Sequence, residues 1–154
     1  MSMQDGRAKP GENKRVVRPA QSRNVPVMQI SQQRYGDVRV IALSGRIDNA
    51  TSETFREGLG PHVAECRLGG DRLVLDFSGV DYISSVGLRV LMLAARQSRE
   101  QGGTIAIAAL QPVVREIFEI SRFNVVFACF GTLREALGKV SPGGLAAYEA
   151  ATPS

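Results

Sequence analysis

The chain has no tryptophan, a single histidine and two cysteines, and only 6% of its residues are aromatic. Each shortage removes a class of function. His62 cannot be matched with a nucleophile and a carboxylate into a hydrolytic triad, and its place is the surface of a helix. Cys66 and Cys129 follow no metal or redox spacing, so they read as buried free thiols. That usage gives no reason to expect an oxidising compartment. Two phosphate-binding signatures, Gly-x-x-x-x-Gly-Lys and a post-strand Gly-x-Gly-x-x-Gly, are absent. Asp76 and Asp81 supply too few oxygens for calcium or magnesium. A receiver domain would need an acidic pair after its first strand, where this chain has Gln32-Gln33-Arg34. No apolar run approaches the roughly 18 residues of a membrane span. No apolar stretch follows the basic N-terminus, so no secretory signal is expected. The expectation is a cytoplasmic protein that needs no cofactor or metal and is not a membrane protein.

What is present fits one domain with tails. The chain has 154 residues, of which 44% are hydrophobic and 22% charged, close to globular averages. Its net charge of +4 is carried by residues 1–24, where Arg7, Lys9, Lys14, Arg15, Arg18 and Arg23 stand against Asp5 and Glu12. Few apolar residues interrupt that segment, so it reads as a disordered basic tail or, alternatively, as an arm for a polyanion. The remainder is neutral and lacks the basic face of a nucleic-acid protein.

From residue 25 to residue 140, strands alternate with helices. Val25 to Arg34 reads as a first strand, and the Tyr35-Gly36-Asp37 turn joins it to a second, Val38 to Leu43, as a hairpin. Asn49 can cap a helix running to about Arg67, with a kink or break at Gly58, Gly60 and Pro61. Leu73 to Phe77 suits a strand buried on both faces. A polar loop then leads to a helix from Val86 to Gln101, closed by Gly102-Gly103. Thr104 to Leu110 is a further strand, and Pro112 opens the next helix. Val125 to Phe130 is the last strand. Thr132 to Glu135 is a capping box for a helix burying Leu133, Leu137 and Val140. Residues 141–154 read as a flexible C-terminal tail. This order predicts an α/β fold with a mixed, mostly parallel sheet and helices packed against it.

The informative stretch runs from Asp76 to Leu91. A buried strand enters a polar loop, and Ser84 and Ser85 precede a helix whose first amides lack intrahelical partners and favour negative charge. Either serine serves as a simple N-cap, and either is also a candidate regulatory serine. Asp76 can hold the loop by accepting amide hydrogen bonds, and Arg46 and Arg89 can add positive charge.

Asp76-Phe77-Ser78 followed by Ser84-Ser85-Val86-Gly87-Leu88-Arg89 resembles the signature of STAS domains of the anti-sigma factor antagonist type. Leu43-Ser44-Gly45-Arg46-Ile47-Asp48, and Gly102-Gly103 followed by Pro112 to Phe123, are similar to further family segments. The resemblance implies the STAS fold over residues 25–140. It also implies a role in binding, not catalysis, within a partner-switching pathway. The partner would be an anti-sigma factor with a kinase-type ATP fold, reset by a serine phosphatase. Asp76, Ser78, Ser84, Ser85, Val86, Gly87, Leu88 and Arg89 would contact it. One departure stands out, because the family's usual phosphate acceptor aligns with Val86, which has no hydroxyl. Phosphorylation then falls to Ser85, and next to Ser84. Otherwise the chain binds constitutively, for example as a STAS subunit of a membrane lipid-transport ATPase complex.

Overall fold

The computed structural model describes residues 27–152. The basic tail read from residues 1–24, and the start of the first strand at Val25, lie outside the described residues. Five strands form one sheet in the order β1-β2-β3-β4-β5, with β1 at Met28–Tyr35, β2 at Val38–Ile47, β3 at Arg72–Ile83, β4 at Ile105–Ala108 and β5 at Ala128–Phe130. Only the β1–β2 pair is antiparallel. Gly36, at φ +62°, makes the tight turn between those two strands. The helices are α1 (Ser52–Ala64), α2 (Ser85–Glu100), α3 (Pro112–Ile120), α4 (Phe123–Val126), α5 (Leu133–Val140) and α6 (Pro142–Ala151).

The period of two along β3 divides the core. Leu73, Leu75 and Phe77 point to one face, where they meet Phe55 and Leu59 of α1, Leu88 and Leu91 of α2 and Phe118 of α3. Val74 points to the other face, where it joins Val38, Val40, Ala106 and Ala108 under Leu137 and Val140 of α5. Each fully buried aliphatic or aromatic side chain contributes about 1.5–3 kcal/mol. Phe77 and Phe118 meet edge to face at 5.8 Å, which ties α3 to the central strand. Cys66 is buried, and its thiol donates to the Thr104 carbonyl at 3.1 Å. Burial pushes both thiols up, Cys129 to about 11, so they stay protonated and poorly nucleophilic near neutrality.

The chain differs from the sequence reading in four places. Helix α1 runs unbroken through Gly58, Gly60 and Pro61, and it begins after Thr51, not Asn49. Pro61 and Glu57, whose carbonyl loses its partner, are both exposed, so the unpaired carbonyl is not buried away from solvent. The expected loop after Phe77 is strand, because β3 continues beside β2 to Ile83. Two register shifts, between Ala42 and Ser44 and between Gly45 and Arg46, place extra residues in β3 and interrupt the alternation that would have marked it. Val125 to Phe130 is not one strand, since Arg122 at φ +65° starts the short turn α4 and pairing is confined to Ala128–Phe130.

The fourth difference is the C-terminus. Residues 142–151, expected as flexible tail, form α6. The Ser141 hydroxyl accepts from the Gly144 amide at 3.1 Å and donates to Asp37 Oδ1 at 2.6 Å. Pro142 occupies the first turn, where its missing N–H costs nothing. A Cβ on Gly144 would stand 2.7 Å from Val38 Cγ2, so glycine lets the helix lie directly on the hairpin. Tyr148 then packs edge to face on Tyr35 at 5.2 Å, and Arg134 pairs with Glu149. Replacing Ser141 by Ala should lower unfolding stability by about 1–2 kcal/mol in denaturant titration, since it removes a cap and a hydrogen bond to a carboxylate. Amide exchange should accelerate across 142–151 before any other helix.

Candidate functional site

Strands β2 and β3 are parallel and end opposite each other, at Ile47 and Ile83. Each then turns into a helix, so α1 and α2 begin side by side at one end of the sheet. The Ser84 amide donates to the Ile47 carbonyl at 2.8 Å and fastens the second turn to the first strand.

At the start of α2 the two serines differ. Ser84 is the N-cap, half-buried, with its hydroxyl accepting from the Gly87 amide at 3.3 Å. Ser85 occupies the first helical position and is exposed, with no side-chain hydrogen bond among the described residues. Val86 is 38% exposed, and Arg89 is exposed without an ion pair among the described residues. Gly87 and Leu88, expected on the partner-facing surface, are buried. A Cβ on Gly87 would lie 2.6 Å from Ile47 Cγ2 and 2.8 Å from Ile83 Cγ1, so this residue sets how closely α2 approaches the strand ends. Leu88 anchors that approach in the core.

The start of α1 supplies the second half of the site. Asp48 Oδ1 accepts from the amides of Ala50 at 3.0 Å and Thr51 at 3.3 Å, and Oδ2 accepts from Arg46 Nε at 2.9 Å. The Thr51 hydroxyl donates to the Arg46 carbonyl at 2.7 Å and accepts from the Asp48 amide at 2.9 Å, closing the bend. Desolvation acts to raise the Asp48 pKa, but the guanidinium and the amides outweigh it and hold the carboxyl below the ordinary range. Arg46 also lies over the Tyr82 ring at 4.2 Å, across the β2–β3 pair where the two residues are in register. The site therefore presents two adjacent helix starts, one fixed cation at Arg46 and one free hydroxyl at Ser85.

Asp76 and Ser78 are not part of this arrangement. Asp76 Oδ1 accepts from the Ser78 amide at 2.9 Å, and the Ser78 carbonyl accepts from Gln111 Nε2 at 2.7 Å. Five residues of β3 lie between Ser78 and Ser84, which keeps the Asp76–Ser78 pair well away from the start of α2. Asp76 and Ser78 hold the start of α3 against β3. Thr51 and Tyr82 are not singled out in the sequence, and Asp48 stands out there only as the end of the Leu43–Asp48 segment. The Asp48-x-x-Thr51 spacing is a legible turn signal, whereas the meeting of Arg46 with Tyr82 depends on strand register.

Comparisons with known proteins bear on the family and the fold. Residues 29–136 match the family model described as the STAS domain. BtrV of Bordetella bronchiseptica, named as a candidate anti-sigma factor antagonist, is 37% identical over 100 residues, covering 65% of this chain and 84% of that protein. The anti-sigma-F factor antagonist RsfB of Mycobacterium tuberculosis is 30% identical over 109 residues, covering 71% and 86%. A crystal structure of an anti-sigma factor antagonist from Mycobacterium paratuberculosis aligns with a TM-score of 0.67 at 26% identity, over 74% of this chain and 94% of that one. The Bacillus cell fate determinant SpoIIAA in its phosphorylated form shares the fold, with a TM-score of 0.55 at 19% identity over 75% and 100%.

The two serines should separate in thermal or denaturant unfolding. Ser84→Ala should cost about 1 kcal/mol as a lost cap, and Ser85→Ala should stay within about 0.5 kcal/mol of the parent. Gly87→Ala should cost about 1–3 kcal/mol through overpacking. Asp48, whose pKa is lower folded than unfolded, contributes stability above its unfolded pKa and loses it as pH falls through the folded value. The stability gap between the parent and Asp48→Asn should accordingly narrow on acidification below about pH 4.

Proposed function

The chain belongs to the STAS domain family, and we propose that it is an anti-sigma factor antagonist that binds an anti-sigma factor with a kinase-type ATP fold through the starts of α1 and α2. The observation that carries this reading is the exposed, uncommitted hydroxyl of Ser85 beside the Arg46–Asp48 bend. The names of its relatives support the antagonist role. On this reading the unmodified Ser85 surface is the docking-competent state.

Ser85 is the phosphate acceptor on this reading, with Ser84 disfavoured because its oxygen is occupied as a cap. The partner kinase transfers the γ-phosphoryl group of magnesium-bound ATP to Ser85 Oγ. The hydroxyl proton is lost, and ADP leaves. The product carries about −1.5 to −2 charges. In the free protein that charge is stabilised by the unpaired amides of the α2 start. In the complex it would have to be stripped of water against a surface shaped for a neutral hydroxyl, so the partner is released. Hydrolysis by a serine phosphatase restores the binding form.

Val86 at the family's usual acceptor position favours a second reading, an unswitched STAS subunit of a membrane lipid-transport ATPase complex. Incubation with the anti-sigma kinase of the same organism and magnesium-ATP, followed by mass spectrometric mapping, discriminates between them. Phosphate on Ser85, lost in Ser85→Ala and retained in Ser84→Ala, is the expected result. Unmodified protein that copurifies with an ABC-type ATPase would establish the second reading instead.

A further inference from the structure

The net charge of the chain sits in one short segment. Residues 1–12 hold two basic and two acidic side chains, and residues 24–154 hold thirteen of each. All of the +4 is therefore carried by Lys14, Arg15, Arg18 and Arg23, with no acidic residue between Asn13 and Val27.

The structure fixes where that segment joins the domain. Strand β1 is antiparallel to β2, with Met28 opposite Gly45. Val27 therefore enters at the end of β2 that carries Arg46 and Asp48, the end at which α1 and α2 start. Gly45 is suited to this entry, since its φ is +100° and a Cβ there would collide with the Val27 carbonyl oxygen. Two strand spacings, about 10 Å, separate β1 from β3. An extended chain covers at most about 3.3–3.6 Å per residue, so the cations at 14–23 are tethered within reach of the start of α2.

The folded surface around the two helix starts supplies little net charge of its own. Arg46 is paired with Asp48, and Arg56 with Glu53. Arg89 and Asp81 are exposed without ion pairs among the described residues, and they offset each other. A molecule covering the helix starts meets its main unbalanced charge at the edge of the contact, on residues 14–23.

We propose that residues 14–23 are a cationic arm that engages an acidic surface of the anti-sigma factor, next to the patch of that partner held by the α1 and α2 starts. The proposal rests on the antagonist reading and adds to it the chemistry of the partner's surface. The composition of the arm favours a protein over other polyanions. Residues 1–26 contain no aromatic side chain to stack on bases and no leucine, phenylalanine or tryptophan to enter a lipid surface. A tethered cluster of like charge beside a docking surface acts mainly on the rate of encounter, and salt screens it.

Stopped-flow association of the full-length protein with the purified anti-sigma factor of the same organism, at low and at high salt, tests the assignment. Circular dichroism melting establishes that each variant keeps its fold. The quadruple variant Lys14→Gln/Arg15→Gln/Arg18→Gln/Arg23→Gln should associate about tenfold more slowly than the parent at low salt and converge with it at high salt. Arg15→Lys/Arg18→Lys/Arg23→Lys, which keeps the charge, should stay within about twofold of the parent. A quadruple variant within about twofold of the parent at low salt overturns the arm and leaves the antagonist reading intact. A loss of equal size at both salt concentrations also overturns it, since the contact is then not electrostatic. If the variant matches the parent on the anti-sigma factor but alone fails to bind phosphatidylserine vesicles or a DNA duplex, the arm serves another polyanion and the proposal fails. A parent protein that binds no anti-sigma factor overturns both readings.

Discussion

The parallel pairing of β2 with β3 is the constraint from which the rest of the molecule follows. Because both strands run the same way and stop together at Ile47 and Ile83, the two helices that follow must start together. That places two sets of unpaired amides next to each other, a concentration of positive potential that no single helix start supplies. The chain then spends its polar side chains differently on the two. Asp48 and Thr51 are committed to the bend that precedes the first start, and Ser84 satisfies one amide of the second. Ser85 is left over, and its availability is a product of its neighbours' commitments, not of its own surroundings.

Packing gives that arrangement its precision. Gly87 allows α2 to approach to a distance that any side chain would prevent, and Leu88 locks it there. Arg46 spans the strand pair from above, bound to Asp48 on one side and stacked on Tyr82 on the other.

Much of the architecture was legible in the sequence because hydrophobic period and punctuation agreed. Leu73 to Phe77, Thr104 to Leu110 and the Thr132 capping box identify their elements, although β3 continues six residues past Phe77. The α2 helix and its two serines were placed within a residue. The misses have physical causes. Ser78-Gly79-Val80-Asp81 has the composition of a loop, and its strand character comes from β2 alongside, with shifts in register that hide the alternation. Asp76 and Ser78 lie near the serines in sequence, but the extended β3 carries them away from the start of α2. The Ser141-Pro142-Gly143-Gly144 segment looked like a chain end because glycine usually breaks helices. Here Gly144 is the contact residue that lets a helix touch the hairpin, a role that depends on what lies opposite.

Helix α6 also determines where the polypeptide leaves the domain. It lies on the sheet face lined by Val38 and Val40, while α1 and α2 cover the opposite face. A fluorescent protein, affinity handle or surface tether fused after α6 would depart on the far side of the sheet from Ser85. Immobilisation through that end presents the two helix starts to solution, which makes the C-terminus the favourable attachment point for sensors and captured-ligand assays.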